Sequence, residues 1–142
     1  MRVRAALALA GVGDTVGVPV LGDALDQCDD VLLCRGIVVN LGRLRDRRAV
    51  PVLIKHLPEV QNRREMVEAL GDIGDPAAAD ALLERLRRDE YVPVRIAAAK
   101  ALAKLGDAHL AALIDDAARK EKEATVVAAA RAAATALRGK TN

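Results

Sequence analysis

The residues of this sequence that could do chemistry are few, and their spacing does not favour a reaction. We expect His56 and His109 to be ordinary solvated side chains. Cys28 and Cys34 lie six residues apart without a nearby histidine, which makes a poor zinc site. No Ser–His–Asp or Cys–His spacing indicates a nucleophile, and no glycine-rich phosphate loop is present. These residues predict no catalytic, metal or cofactor site, and we therefore expect a protein that is not an enzyme.

The cysteines and the charge balance bear on the compartment and the partners. We expect the thiols of Cys28 and Cys34 to be reduced in a cytoplasmic protein, and a disulfide between them is the alternative. The chain has 22 basic and 20 acidic residues, so its net charge of +2 gives no general argument for nucleic acid or a membrane. No apolar run approaches the roughly 20 residues that a membrane-spanning helix needs.

The chain is organised around a recurring motif. Residues 94–107 read VRIAAAKALAKLGD, and similar segments end at Asp14, Asp46 and Asp75. The four closing aspartates are 32, 29 and 32 residues apart, which indicates a solenoid of stacked units. The first copy, residues 1–14, starts like a signal peptide. It keeps the phase of the later copies, however, so we interpret it as a repeat.

Each repeat has the pattern of two helices joined by a tight turn. Apolar residues lie five and two positions before the closing aspartate, and again four, seven and eleven positions after it. This spacing places them on one face of a helix on either side of the turn. Gly13, Gly74 and Gly106 can end the first helix with a positive φ, whereas Arg45 occupies that place in the second repeat. We expect the aspartates to cap the helices that follow them.

This pattern predicts an all-α solenoid of about four and a half repeats. The nine expected helices span 2–12, 16–27, 31–44, 48–57, 62–73, 76–88, 92–105, 108–121 and 124–138. We expect a single domain, 1–142, with repeats near 1–30, 31–61, 62–92 and 93–124 and a half-repeat at 125–138. Pro19 and Pro51 would each remove a hydrogen bond inside a helix, so those two helices should begin late or with a bent turn.

The motif and its period resemble a known family. Two-helix repeats with a VRxxAAxALxxLGD ending, carried most closely by residues 49–57 and 94–107, resemble the short HEAT-like repeats named after phycobilisome lyases. The resemblance covers essentially the whole chain and implies a right-handed superhelix. It also implies that the arginine of the VR pair, here Arg2, Arg63 and Arg95, bonds to neighbouring turns or capping aspartates.

The family includes enzymes, and the sequence disfavours two kinds of them. Deoxyhypusine hydroxylase-like repeats hold a pair of irons with adjacent His-Glu residues, whereas leucines follow His56 and His109 here. A bilin lyase is expected to hold its tetrapyrrole in a large pocket with aromatic residues, and Tyr91 is the one aromatic residue of this chain. A lyase-type or otherwise ligand-handling subunit is nevertheless the alternative to a binding protein.

Clustered arginines suggest a third function, which is binding to nucleic acid. They lie around the second turn and at the end of the sixth predicted helix, at Arg35, Arg43, Arg45, Arg47, Arg48, Arg85, Arg87 and Arg88. Acidic residues interleave with them, and no aromatic residue lies among them to stack on a base. We do not expect nucleic acid as the partner.

The concave face is the main predicted binding surface. The second helices of the pairs line that face in right-handed solenoids. The residues predicted to project from it are Asp23, Asp26, Lys55, His56, Glu59, Glu84, Arg85, Arg88, Asp116, Arg119 and Lys120. Their charge pattern suits recognition of a protein. The sequence therefore predicts a non-enzymatic interaction scaffold or adaptor.

The two ends of the chain are a second candidate interface. The first helix starts at the second residue without a preceding cap, and the last helix is mostly alanine with few charges. Terminal repeats need a polar outer face to keep the core covered. We therefore expect one or both ends to self-associate or to pack on another segment.

Overall fold

The computed structural model of the protein describes residues 2–139, so Met1 and residues 140–142 lie outside the described residues. Within 2–139 the chain forms nine α-helices and no strand. The helices are α1 (Arg2–Gly11), α2 (Val18–Asp26), α3 (Val31–Leu44), α4 (Val50–His56), α5 (Arg63–Ile73), α6 (Ala79–Arg88), α7 (Val92–Leu105), α8 (Leu110–Lys120) and α9 (Ala124–Gly139). The prediction of nine helices is confirmed, with every end within three residues of its expected place.

Short 3-10 turns precede three of the second helices. They span Thr15–Gly17, Arg47–Ala49 and Pro76–Ala78. Because α2 and α4 then begin at Val18 and Val50, Pro19 and Pro51 fall in a first α-helical turn, where a missing amide costs no helical hydrogen bond. The bent start predicted for these two helices is confirmed.

The capping chemistry of the turns is confirmed as well. The four closing aspartates each accept a hydrogen bond of 2.9–3.0 Å from the backbone amide two residues later, at Asp14, Asp46, Asp75 and Asp107. Gly13, Gly74 and Gly106 have positive φ angles. Arg45 adopts the same left-handed conformation with a φ of 53°, which is unfavourable for a residue with a side chain.

The chain divides into two compact units, Met1–Ile73 and Gly74–Asn142. In the first unit, α1, α3 and α5 stack in order, and α2 and α4 pack beside them. A Cβ on Gly42 would come within 2.9 Å of Ala69, so this glycine permits the close approach of α3 and α5. The largest fully buried side chains of this unit are Leu21, Ile37, Leu41, Leu53, Met66 and Leu70.

The second unit pairs α7 with α9 and α6 with α8. Its largest fully buried side chains are Leu82, Leu102, Ile114 and Leu137, and buried alanines fill the spaces between them. Val126 and Leu137 of α9 are fully buried within the unit, whereas Val127 is half-buried. The expected single domain and right-handed superhelix stay predictions.

The cysteines correct the expectation of reduced thiols. Cys28 and Cys34 form a disulfide that closes the loop between α2 and α3, with their Cα atoms 5.7 Å apart. Asp30, inside this loop, caps α3 by accepting a 2.9 Å hydrogen bond from the amide of Leu33. The loop is therefore fixed both covalently and by a cap. None of the helices within residues 2–139 is long and apolar enough to cross a bilayer.

The arginines of the VR pair tie helices together in two of the three expected places. Arg63 Nε donates to the carbonyl oxygen of Leu57 over 2.7 Å. Arg95 Nη1 donates to the carbonyl oxygen of Asp89 over 2.8 Å. Arg2 is exposed and makes no such bond within residues 2–139. The predicted tie is thus confirmed for Arg63 and Arg95 but not for Arg2.

Candidate functional site

A cleft of ≈ 750 Å³ opens in the second unit, bounded by the ends of α6 and α8 and the first part of α7. Its lining residues are Leu86, Arg87, Arg88, Asp89, Arg95, Asp116, Ala117, Lys120, Glu121 and Lys122. This volume lies within the range of ligand sites, but eight of the ten side chains are charged. The cleft therefore suits a polar or charged ligand.

One wall of the cleft is fixed by a buried carboxylate. The side chain of Asp89 is fully buried and lies 3.3 Å from Arg85 Nη1. Its other oxygen accepts a 3.0 Å hydrogen bond from the amide of Tyr91, which holds the connection between α6 and α7. Because the carboxylate of Asp89 is already bonded to Arg85 and to the amide of Tyr91, it shapes the cleft and offers little charge to a ligand.

A second part of the lining depends on Glu121, which joins the end of α8 to α7. Its carboxylate accepts from Arg95 Nε over 2.9 Å and from the amides of Lys122 and Glu123. Burial alone would raise the pKa of Glu121, but the bonds from Glu123 and Arg95 lower it below its usual value. Glu121 therefore remains ionised at neutral pH and holds Arg95 in place.

Three cations of the cleft have no acidic partner among the described residues. Arg87, Arg88 and Lys122 are exposed and form no side-chain hydrogen bond or ion pair with another residue of the described range. Lys120, by contrast, pairs with Asp116 at 3.1 Å, and this contact lowers the pKa of the Asp116 carboxyl. The acidic residues of the cleft are thus neutralised by their neighbours, which leaves a net attraction for an anionic group.

The structure brings together the predicted residues of the second unit. Arg88, Asp116 and Lys120 line the cleft. Arg85 pairs with Glu84 and Asp89, and Arg119 lies 3.5 Å from Asp116. The predicted concave face did not include several lining residues, namely Arg87, Asp89, Arg95, Glu121 and Lys122, although Arg87 was named in the arginine cluster. The VR motif marked Arg95 as a structural tie, but nothing in the repeat pattern marked it as a cleft residue.

The predicted residues of the first unit form a separate network around His56. His56 Nε2 lies 2.8 Å from Asp26 Oδ1, and His56 Nδ1 lies 2.8 Å from Glu59 Oε1. Lys55 Nζ also donates to Asp26 over 2.8 Å. Asp23 is exposed outside this network. The expectation of a solvated, outward-facing His56 is wrong, because only 7% of the residue is exposed.

The network favours the charged form of His56. Burial alone would lower the pKa of the imidazole, but the hydrogen bonds to Asp26 and Glu59 outweigh it and raise that pKa. Lys55 and then His56 lower the pKa of the Asp26 carboxyl in return. The arrangement is an ion cluster joining the ends of α2 and α4 to the loop that follows.

The described residues do not fit a metal site. Asp26 and Glu59 contact opposite edges of the His56 ring, so their carboxylates and the imidazole do not converge on one point. His109 is exposed and lies 3.1 Å from Asp107. Residues 2–139 contain no group of three or more His, Cys, Asp or Glu side chains placed to hold a metal ion.

The arginines around the second turn are partly committed to protein contacts. Arg48 forms an ion pair with Asp46 over 2.6 Å and donates to the carbonyl oxygen of Thr15 over 3.1 Å. Arg35 lies 3.2 Å from Glu65. These contacts give the two arginines structural roles. The expectation that nucleic acid is not the partner stays a prediction.

The chain is similar to HEAT-repeat families and to a solved lyase structure. A family model described as HEAT repeats matches residues 55–135, and a model described as PBS lyase HEAT-like repeat matches residues 1–27. The fold is similar to a chain in the complex of CpcE and CpcF of phycocyanin lyase from Nostoc sp. PCC7120. The TM-score is 0.76 at 27% identity, over 97% of this chain and 59% of that one.

Sequence comparison with curated proteins finds an enzyme. The chain is 37% identical over 97 residues to deoxyhypusine hydroxylase from Bos taurus, and 33% identical over the same length to the Homo sapiens protein. These alignments cover 66% of this chain but only 31% and 32% of the relatives. The chain therefore spans about a third of the length of the curated relatives it matches.

These comparisons correct the predicted function. The prediction of a non-enzymatic interaction scaffold or adaptor is wrong, because both the sequence relatives and the structural neighbour are enzymes. The all-α solenoid class is confirmed by the likeness to the lyase chain. The predicted residues of the concave face are tested by none of these likenesses and stay predictions.

Proposed function

This chain belongs to the family of HEAT-repeat proteins, and from that premise we propose that it is part of an enzyme, as a lyase-type subunit that holds the protein substrate. The observation that carries the proposal is the likeness to a phycocyanin lyase chain over 97% of the present chain, at a TM-score of 0.76. That lyase is a complex of two chains, and we propose that this subunit likewise works with a second protein.

The cleft of the second unit supports a role in holding substrate. Arg87, Arg88 and Lys122 offer three uncommitted cations at its surface. Only Leu86 and Ala117 of the lining are apolar, and no aromatic residue lines the cleft. A flat chromophore would find little to stack on, whereas an acidic segment of a protein would find cations and hydrogen-bond donors. We assign to the cleft the binding of such a segment.

Hydroxylation of deoxyhypusine is not proposed for this chain. The similarity to the hydroxylases covers 97 residues of this chain. Neither histidine of the chain is followed by a glutamate, and the described residues assemble no metal-binding group.

The expectation of a cytoplasmic location also stays a prediction.

The activity is tested by bilin transfer to phycocyanin. The purified chain is incubated with phycocyanin lacking its chromophore, a free bilin, and either CpcE or CpcF of the Nostoc complex. We expect a covalent adduct, detected as a mass increase on phycocyanin, that requires this chain in at least one combination. If the complete Nostoc pair yields adduct and every mixture with this chain yields none, the lyase-type function is overturned.

The role of the cleft is tested with two charge-matched variants. Arg87→Glu/Arg88→Glu should weaken binding of phycocyanin lacking its chromophore by at least roughly tenfold, because it replaces two attractive charges with repulsive ones. Lys100→Glu/Arg131→Glu makes the same change in net charge at exposed positions away from the lining and should bind like the wild type. Equal loss in both variants would indicate nonspecific electrostatics and would remove the cleft from the proposal.

A further inference from the structure

Large apolar side chains are exposed in the first unit where the chain enters α3 and α5. Val31 is 44% exposed, Leu32 is 77% exposed and Val60 is 55% exposed. Val31 and Val60 are 29 residues apart, like the closing aspartates Asp46 and Asp75, so they occupy the same position of two successive repeats. We call Val31, Leu32 and Val60 the loop-edge patch.

The exposure of these positions does not result from where the sequence begins. Val60 is exposed although a complete repeat precedes it and α3 packs on α5. The residues equivalent to Leu32 in the next two repeats, Gln61 and Pro93, are exposed as well. These positions therefore face away from the neighbouring repeats, and a further repeat of the same solenoid would leave them open.

The backbone that carries the patch is held in place by several bonds. The disulfide closes the loop that leads into α3. Asn62 has a φ of 58° and donates from Nδ2 to the carbonyl oxygen of Val31 over 3.1 Å, which joins the two connections. Arg63 donates to the carbonyl oxygens of residues 57–59 over 2.7–3.1 Å. A partner would therefore bind here without having to order a loop, which lowers the cost of binding.

Carboxylates border the patch. Residues 27–33 and 57–62 contain Asp29, Asp30 and Glu59 but no lysine or arginine. Asp29 is exposed and forms no side-chain hydrogen bond or ion pair with another described residue. The side chain of Glu59 is 61% exposed, and its contact with the imidazole uses one of its two oxygens. Three cations nearby in the sequence are paired with acidic residues, namely Lys55 with Asp26, Arg35 with Glu65 and Arg64 with Glu68. The surface around the patch is therefore acidic.

We propose that the loop-edge patch docks a basic amphipathic helix of a partner protein. Apolar residues of that helix would cover the patch, and its lysines or arginines would pair with Asp29 and Glu59. Packed helices lie about 8–10 Å apart, which is close to the rise of two helical turns, so apolar residues two turns apart could reach both valines. The carboxylates would repel an acidic helix or an anionic lipid surface. The proposal concerns the first unit and does not depend on the proposed activity.

Binding is measured by fluorescence anisotropy on the full chain at constant salt, with synthetic peptides as probes. The main probe is a labelled leucine–lysine peptide that forms an amphipathic helix. The comparison probes are a leucine–glutamate peptide of the same pattern and an oligolysine peptide. We expect the leucine–lysine peptide to bind the wild type at least roughly tenfold more tightly than either comparison probe, because it alone matches both the apolar residues and the carboxylates.

Leu32→Ser/Val60→Ser should weaken binding of the leucine–lysine peptide by at least roughly tenfold, because it removes the apolar contact. Asp29→Lys should weaken it as well, because it replaces an attractive charge with a repulsive one. The matched control is Val16→Ser/Leu113→Ser, which makes the same type of substitution at exposed apolar positions outside the patch and should bind like the wild type. All five residues are exposed, so circular dichroism should show unchanged helix content in every variant.

The proposal is overturned if the leucine–lysine peptide does not bind, if a comparison probe binds as tightly, or if the control variant loses as much affinity as Leu32→Ser/Val60→Ser. Other occupants are tested with the same proteins. A homodimer of the wild type in sedimentation velocity, or flotation with phosphatidylcholine vesicles, would overturn the proposal if the patch variant abolished it. Peptide binding and bilin transfer are separate readouts, so this proposal and the proposed function can fail independently.

Discussion

At the scale of single residues, His56 is where reasoning from the sequence failed most clearly. Its neighbours in the sequence, Lys55 and Leu57, gave no sign of burial. The partners that bury and charge it are Asp26, thirty residues earlier, and Glu59, beyond the end of α4. A periodic pattern predicts which side of a helix faces the core, but not which polar side chains meet between adjacent helix ends.

The raised pKa of His56 makes the first unit sensitive to pH. A histidine whose pKa is higher in the folded state contributes stability that is fully present below its unfolded pKa, about 6.5, and is lost as the pH rises through its folded pKa. We expect the melting temperature of the wild type to fall with pH across that interval. His56→Gln should be less stable by about 1–2 kcal/mol at pH 6 and should show a flatter pH dependence.

The control for this experiment is Arg64→Gln, which removes an exposed cation from the same unit but no group that titrates near neutral pH. It should keep the wild-type slope of melting temperature against pH. A slope that persists in His56→Gln would show that another group is responsible for it.

At the scale of the element, the turns could be predicted almost completely because their chemistry is local. The aspartate caps and the glycines with positive φ depend on residues adjacent in sequence. Arg45 adopts the same left-handed geometry although, unlike glycine, it has a side chain that disfavours it. Arg45→Gly should stabilise the protein by about 0.5–1 kcal/mol in thermal unfolding, since it removes the left-handed strain.

The reciprocal change serves as the control for that turn. Gly106 has a φ of 74°, so Gly106→Ala introduces a side chain into the same conformation. It should destabilise the protein by about 1–2 kcal/mol. Changes of the same sign in both variants would mean that the left-handed residue does not govern the stability of these turns.

The loop between α2 and α3 could not be settled from the sequence, because two cysteines six residues apart are compatible with reduced thiols or a bridge. With the disulfide in place, reduction should destabilise the protein by about 2 kcal/mol, chiefly by releasing the unfolded chain. The check is thermal unfolding with and without a thiol reductant. Cys28→Ser/Cys34→Ser should melt like the reduced wild type and should not respond to the reductant.

At the scale of the whole molecule, the repeat period predicted the fold but misdirected the function. Stacked helix pairs follow from apolar spacing that the chain repeats, and that spacing is the same in enzymes and in binding proteins. The cleft arises where the ends of α6 and α8 meet the start of α7, and its charged residues belong to three helices and two connecting segments. No repeat position predicts that these residues converge, so the cleft could not be identified from the sequence. The predicted function was corrected by the similarity to enzymes.

Because each repeat is stabilised mainly by its neighbours, protection against hydrogen exchange should follow the stacking order. Helix α1 has a neighbour on one side of its layer and exposes Leu9, whereas α3 is covered on both sides and the equivalent Leu41 is fully buried. We expect amides of α1 to exchange at least roughly tenfold faster than those of α3 in mass-spectrometric measurements. Equal protection of α1 and α3 would contradict this prediction and would show that the exposed side of α1 does not lower its local stability.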